Sequence, residues 1–88
     1  MAETQQTFAN GTDAPIYVSV EPWPECFELE PGERLTVLWD APDLGDAAVI
    51  HFLSANELVV YPNGNIDDLK FLIDGVDAKA RSWNFRHK

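Results

Sequence analysis

The sequence predicts an antiparallel β-sandwich or small barrel of six to eight short strands. Two observations carry that expectation. Apolar residues recur with period two in several short runs, and turn-forming residues interrupt those runs roughly every eight to twelve residues.

After a polar start, residues 7–10 can open a first strand before Asn10-Gly11-Thr12-Asp13 turns the chain. Ile16, Val18 and Val20 then share one face, while Tyr17, Ser19 and Glu21 share the other. Pro22 and Pro24, on either side of Trp23, withhold two backbone donors and end this strand. In 26–30 the alternation resumes, with Phe27 and Leu29 inward and the two glutamates outward. Pro31-Gly32 is a proline-first turn, because Pro presets the backbone angle of its position and Gly tolerates positive φ. Leu35, Val37 and Trp39 line one face of the next strand, and 40–46 is a loop by composition.

The runs 47–53 and 58–61 differ, because their apolar residues populate both faces. Such a run is covered on both sides by its own domain, or on one side by a second subunit. Residues 54–57 suit their hairpin connection, and Pro62-Asn63-Gly64-Asn65 is a further turn.

Segment 66–74 admits two readings. Asn65 as N-cap, Asp67 and Asp68 in a first turn and Gly75 as C-cap suit one short helix. Lys70-Phe71-Leu72-Ile73 followed by Asp74-Gly75 suits a strand entering a hairpin turn. The strand is favoured, since Phe and Ile prefer pleated surfaces and the rest of the chain is β. Residues 80–85 would pair back across that turn. The expected core is Ile16, Val18, Val20, Phe27, Leu29, Leu35, Val37, Val49 and Leu53. Residues 1–6 and 86–88 are expected to fray, and residues 82–88, with Trp83 and Phe85, to serve as a lid over apolar surface.

Eighty-eight residues suffice for one domain, 1–88, and are too few for two. Hydrophobic residues form 45% of the chain, which argues against disorder despite a net charge of −9. Thirteen of the fifteen acidic residues precede Lys70, against one base in that stretch, Arg34. An acidic body repels phosphate, so no nucleic acid and no anionic membrane is expected as partner. A single cysteine, a polar start at 1–7 without an apolar leader core, and no long apolar span together predict a cytoplasmic protein.

The catalytic inventory is thin. Cys26 is flanked by Glu25 and Glu28, where a thiolate is disfavoured, and neither His51 nor His87 is placed by the sequence beside it. Two histidines and one cysteine lack the spacing of a zinc site. Asp40, Asp43 and Asp46 recur every third residue in a Pro/Gly loop but lack the ligand alternation of a calcium loop, so they read as turn acids. No catalytic residue, no metal ligand, no cofactor and no enzymatic activity is expected. One feature instead suggests a docking point. Trp23, held between two prolines and ringed by Glu21, Glu25 and Glu28, suits an anchor for a basic protein partner, with a structural plug as the competing reading.

The string Val18-x-Val20-Glu21-Pro22-Trp23 followed by Phe27-x-Leu29-x-Pro31-Gly32-Glu33-x-Leu35 resembles a group of small, uncharacterised bacterial β-rich proteins with that signature. The resemblance implies a bacterial cytoplasmic β domain and carries over no activity and no catalytic residue. The reading is an acidic protein-interaction module without catalysis, one form of which is an inhibitor or immunity-type protein. The alternatives are a small-molecule or cation-binding β domain and a structural homodimer. A monomer or weak homodimer is expected.

Overall fold

A computed structural model describes residues 2–21 and 25–78. Eight strands follow in order: β1 (Ala2–Ala9), β2 (Ile16–Val20), β3 (Glu25–Leu29), β4 (Arg34–Ala41), β5 (Ala48–Ser54), β6 (Glu57–Pro62), β7 (Asn65–Ile73) and β8 (Val76–Asp77). They form two four-stranded sheets, ordered β1-β4-β7-β8 and β3-β2-β6-β5. The sheets stack as a sandwich rather than closing into a barrel, and the described residues contain no helix. Pairing is antiparallel except between β2 and β6.

The turns follow from local chemistry. Glu33 donates its backbone N–H to the Glu30 carbonyl at 3.0 Å, closing a turn with Pro31 at its second position and Gly32 at its third. Gly32 holds φ +86°, which that position of a type II turn requires. At the β7–β8 hairpin, Asp74 and Gly75 both have positive φ, the pattern of the mirror-image turn that Asp-Gly favours.

The core lies between the sheets. Val18 and Val20 of β2, Phe27 and Leu29 of β3, and Leu35 and Val37 of β4 are fully buried, as expected. Trp39, Ala41, Val60, Phe71, Ile73 and Ala78 complete it. Phe27 and Phe71 bring their rings to 5.0 Å across the two sheets, and burying each such side chain contributes about 2–3 kcal/mol. Segment 66–74 is therefore strand. Extended backbone puts Phe71 and Ile73 on one face, and β4 supplies the ladder partners Val37 and Leu35 that a helix would forgo.

Three expectations are corrected. Val49 and Leu53 are 42% and 62% exposed, because β5 is an edge strand whose inward positions are the even-numbered ones. Ile16 is only partly buried and packs against the core margin. Residues 2–6, expected to fray, belong to β1, which pairs with β4 from Ala2↔Ala41 to Ala9↔Arg34. Its polar sequence hides the strand because most of its side chains face solvent, while Thr7 and Thr36 join hydroxyls at 3.0 Å. Trp23, segment 80–85 and the lid expected at 82–88 lie outside the described residues.

Asn10 is the buried polar centre of the β1–β2 loop, at 2% exposure. Its Nδ2 donates to the carbonyls of Leu29 and Ala14, and its Oδ1 accepts from the backbone N–H and hydroxyl of Thr12. Its own backbone exchanges bonds with Gly32 and Glu33. Asn10 thus ties the loop to the end of β3 through its side chain and to the β3–β4 turn through its backbone.

Candidate interaction site

Three of the four residues singled out by the sequence, Glu21, Glu25 and Glu28, are described. Trp23 lies outside the described residues. Glu25 points inward with Phe27 and Leu29 and is only 7% exposed, and among the described residues its Oε2 has no hydrogen-bond partner. Glu28 occupies the opposite face of β3, since residues three apart on a strand alternate sides. Glu21 and Glu28 are half-buried. Among the described residues no cluster of three His, Cys, Asp or Glu side chains is placed to hold a metal ion. Asp40, Asp43 and Asp46 are exposed and do not converge.

A different feature emerges from comparing the sheet edges. The backbone of an edge strand carries unpaired donors and acceptors along one side, and proteins blunt such edges with charge, shortness, proline or bulges. β8 is two residues long and carries Asp77. β3 is five residues long and carries Glu25 and Glu28. β1 exposes Glu3, Gln5 and Gln6. β5 has seven residues, Ala-Val-Ile-His-Phe-Leu-Ser, none charged and none proline.

Around it, 47–56 is a run of ten residues without Asp, Glu, Lys or Arg in a chain that is 24% charged. Exposed Asp46 and Glu57 border the run. A single irregularity falls between Phe52 and Ser54, near the end of the strand, and leaves 48–52 in regular pairing with β6. Phe52 is 77% exposed although its register partner Leu58 and neighbour Ile50 face the core side. Val49 is exposed on the outer face, where His51 packs its ring against Tyr61 at 4.9 Å, and Leu53 is exposed at the irregularity. β5 therefore presents apolar side chains on both faces and hydrogen-bonding backbone between them.

No family model, curated protein or solved structure matches this chain.

Two depressions accompany these edges. The larger, about 530 Å³ in volume, opens where the β4–β7 ladder skips from Leu38↔Lys70 to Asp40↔Asn65, and Glu3, Asp67 and Leu69 help to line it. The smaller, about 210 Å³, lies under the β5 end, between Phe52, Leu58, Ile16 and the Ala9–Thr12 backbone. What this arrangement offers chemically is strand pairing and apolar contact. Sequence reasoning noticed the two-sided apolar run but assigned Val49 and Leu53 to the core. The ten-residue gap in charge was the available signal that this run differs from the other edges.

Proposed function

We propose that this protein is a non-enzymatic interaction module whose β5 side engages a basic protein. The observation that carries this reading is the β5 edge, which has no further strand beside it among the described residues and is long, uncharged and apolar on both faces while the other three described edges are short, charged or polar. An exposed apolar strip rimmed by charge is the usual composition of a protein contact. The partner's charge follows from the host. A chain at −9 with Asp46 and Glu57 at the rim steers cationic surfaces toward it and repels acidic ones. Masking of a basic site on another protein, as an inhibitor or immunity-type protein does, fits this design. The single cysteine and the acidic surface accord with work in a reducing cytoplasm.

Affinity capture with the wild type and with the double variant Phe52→Glu/Leu53→Glu tests the reading. The wild type should retain a partner at low salt, release it at high salt, and show slowed amide exchange in β5 when bound. Equal capture by both proteins, or protection confined to other strands, would contradict it.

A further inference from the structure

We infer that the partner enters as an extended segment that adds a ninth strand alongside β5, with lysine or arginine flanking an apolar centre and one apolar side chain seated under Phe52. The inference rests on the interaction reading above and specifies its chemistry.

The mode follows from where the exposure lies. A partner lying flat on the outer face of the sheet would cover Val49 and His51 and leave Phe52, on the opposite face, in water. A partner pairing edge-on covers all three. Each of its residues sits beside a β5 residue, and alternate side chains fall on the two faces. Strand addition also satisfies the backbone groups that the edge leaves without ladder partners among the described residues. The seven residues of β5 offer an edge roughly 23 Å long.

The anchor follows from the smaller depression. At about 210 Å³ it is below the roughly 300–1,000 Å³ typical of small-molecule sites, and it suits a single side chain. Its walls are Phe52, Leu58 and Ile16, with the Asn10-Gly11-Thr12 backbone as rim. Asn10 holds that rim in place through its bonds to Thr12, Ala14 and Leu29. An inward-facing residue on a strand beside Phe52 projects toward this space, and a branched aliphatic or aromatic side chain fills it.

The flanks follow from charge. A second copy of this chain is disfavoured as occupant. Antiparallel self-pairing centred on His51 pairs Ala48 with Ser54 and brings Asp46 of each copy toward the β5–β6 hairpin of the other, where Glu57 stands, so acid approaches acid at both ends of the pair. Lysine or arginine at the ends of the incoming strand meets the same two carboxylates favourably.

The probe is a short peptide of alternating valine and threonine with a central leucine and paired lysines at each end. Its counterpart carries glutamates at the ends. Both are titrated into the full chain while the backbone amide resonances are followed. The lysine-flanked peptide should shift and protect the amides of 48–54 and bind at least tenfold more tightly than the glutamate-flanked one. Phe52→Glu should weaken it at least tenfold, although this change adds a negative charge. Gln5→Glu on the exposed β1 edge, which adds the same charge, should leave binding unchanged. Tighter binding by Phe52→Glu would show that charge alone attracts the peptide and would overturn the strand-and-anchor geometry. Equal binding of the two peptides at β5 would overturn the basic flanks while leaving the interaction edge intact. A protein that sediments as a dimer, is dissociated by Phe52→Glu and ignores both peptides would name a second copy as occupant and overturn the inference alone. A monomer whose β5 amides respond to neither peptide would overturn the inference and the interaction reading together.

Discussion

β5 and β6 are written in nearly the same alphabet, Ala-Val-Ile-His-Phe-Leu-Ser and Glu-Leu-Val-Val-Tyr-Pro, and they have opposite fates. β6 lies between β2 and β5. It buries Val60 completely in the core and shields Val59 on the outer face among its neighbours' side chains. Among the described residues β5 pairs only with β6, and it leaves Val49, Phe52 and Leu53 exposed. The pair teaches that an apolar pattern on both faces reports a need for neighbours, while the topology decides whether the chain itself supplies them.

The largest expected effect breaks that symmetry directly. Val60→Asp should leave the protein unfolded by circular dichroism, since an unpaired buried charge costs several kcal/mol against a total of roughly 5–10. Leu53→Asp on the neighbouring strand should fold normally and shift stability by less than about 0.5 kcal/mol. If the two variants behave alike, the distinction between the strands is wrong.

Most of the fold was legible for physical reasons that attach to particular residues. Ile16 to Val20 and Leu35 to Trp39 alternate cleanly because one face of each strand meets the core and the other does not. Pro31-Gly32 and Asp74-Gly75 announce their turns because few other residues accept those backbone angles. β1 was legible only at its end, since an edge strand with solvent on most of its side chains needs no apolar alternation. The parallel pairing of β2 with β6 joins residues about forty positions apart, and no local signal encodes it. The candidate site was half legible. Two-sidedness of β5 could be read, but which of its faces lacked cover depended on sheet order. Of the acidic ring expected around Trp23, parity places Glu25 and Glu28 on opposite faces of β3, and Trp23 itself lies outside the described residues.

Smaller effects sharpen the contrast. Asn10→Ala removes four side-chain bonds at a buried position, so chemical denaturation should show a loss of about 2–3 kcal/mol. The same variant should loosen the rim beneath Phe52 and speed amide exchange at 10–14, tying the β5 side to the rest of the core. Gly64→Ala should also destabilise, by about 1–3 kcal/mol, because Gly64 holds φ +97° and an added methyl would strike the Asp40 carbonyl oxygen. Leu53→Lys should leave the melting temperature within a degree or two on the scale of small domains, while raising the concentration at which the protein aggregates, since a lysine on an edge strand discourages unwanted pairing.

Native-state amide hydrogen exchange across β5 and β6 in the isolated monomer tests the central claim most directly. The account predicts slow exchange along β6, and within β5 an alternation in which the amides directed away from β6 exchange much faster than those bonded to it. Uniform protection of every amide from Ala48 to Ser54 in the monomer would mean that the chain already covers this edge, and would contradict its assignment as the docking strand.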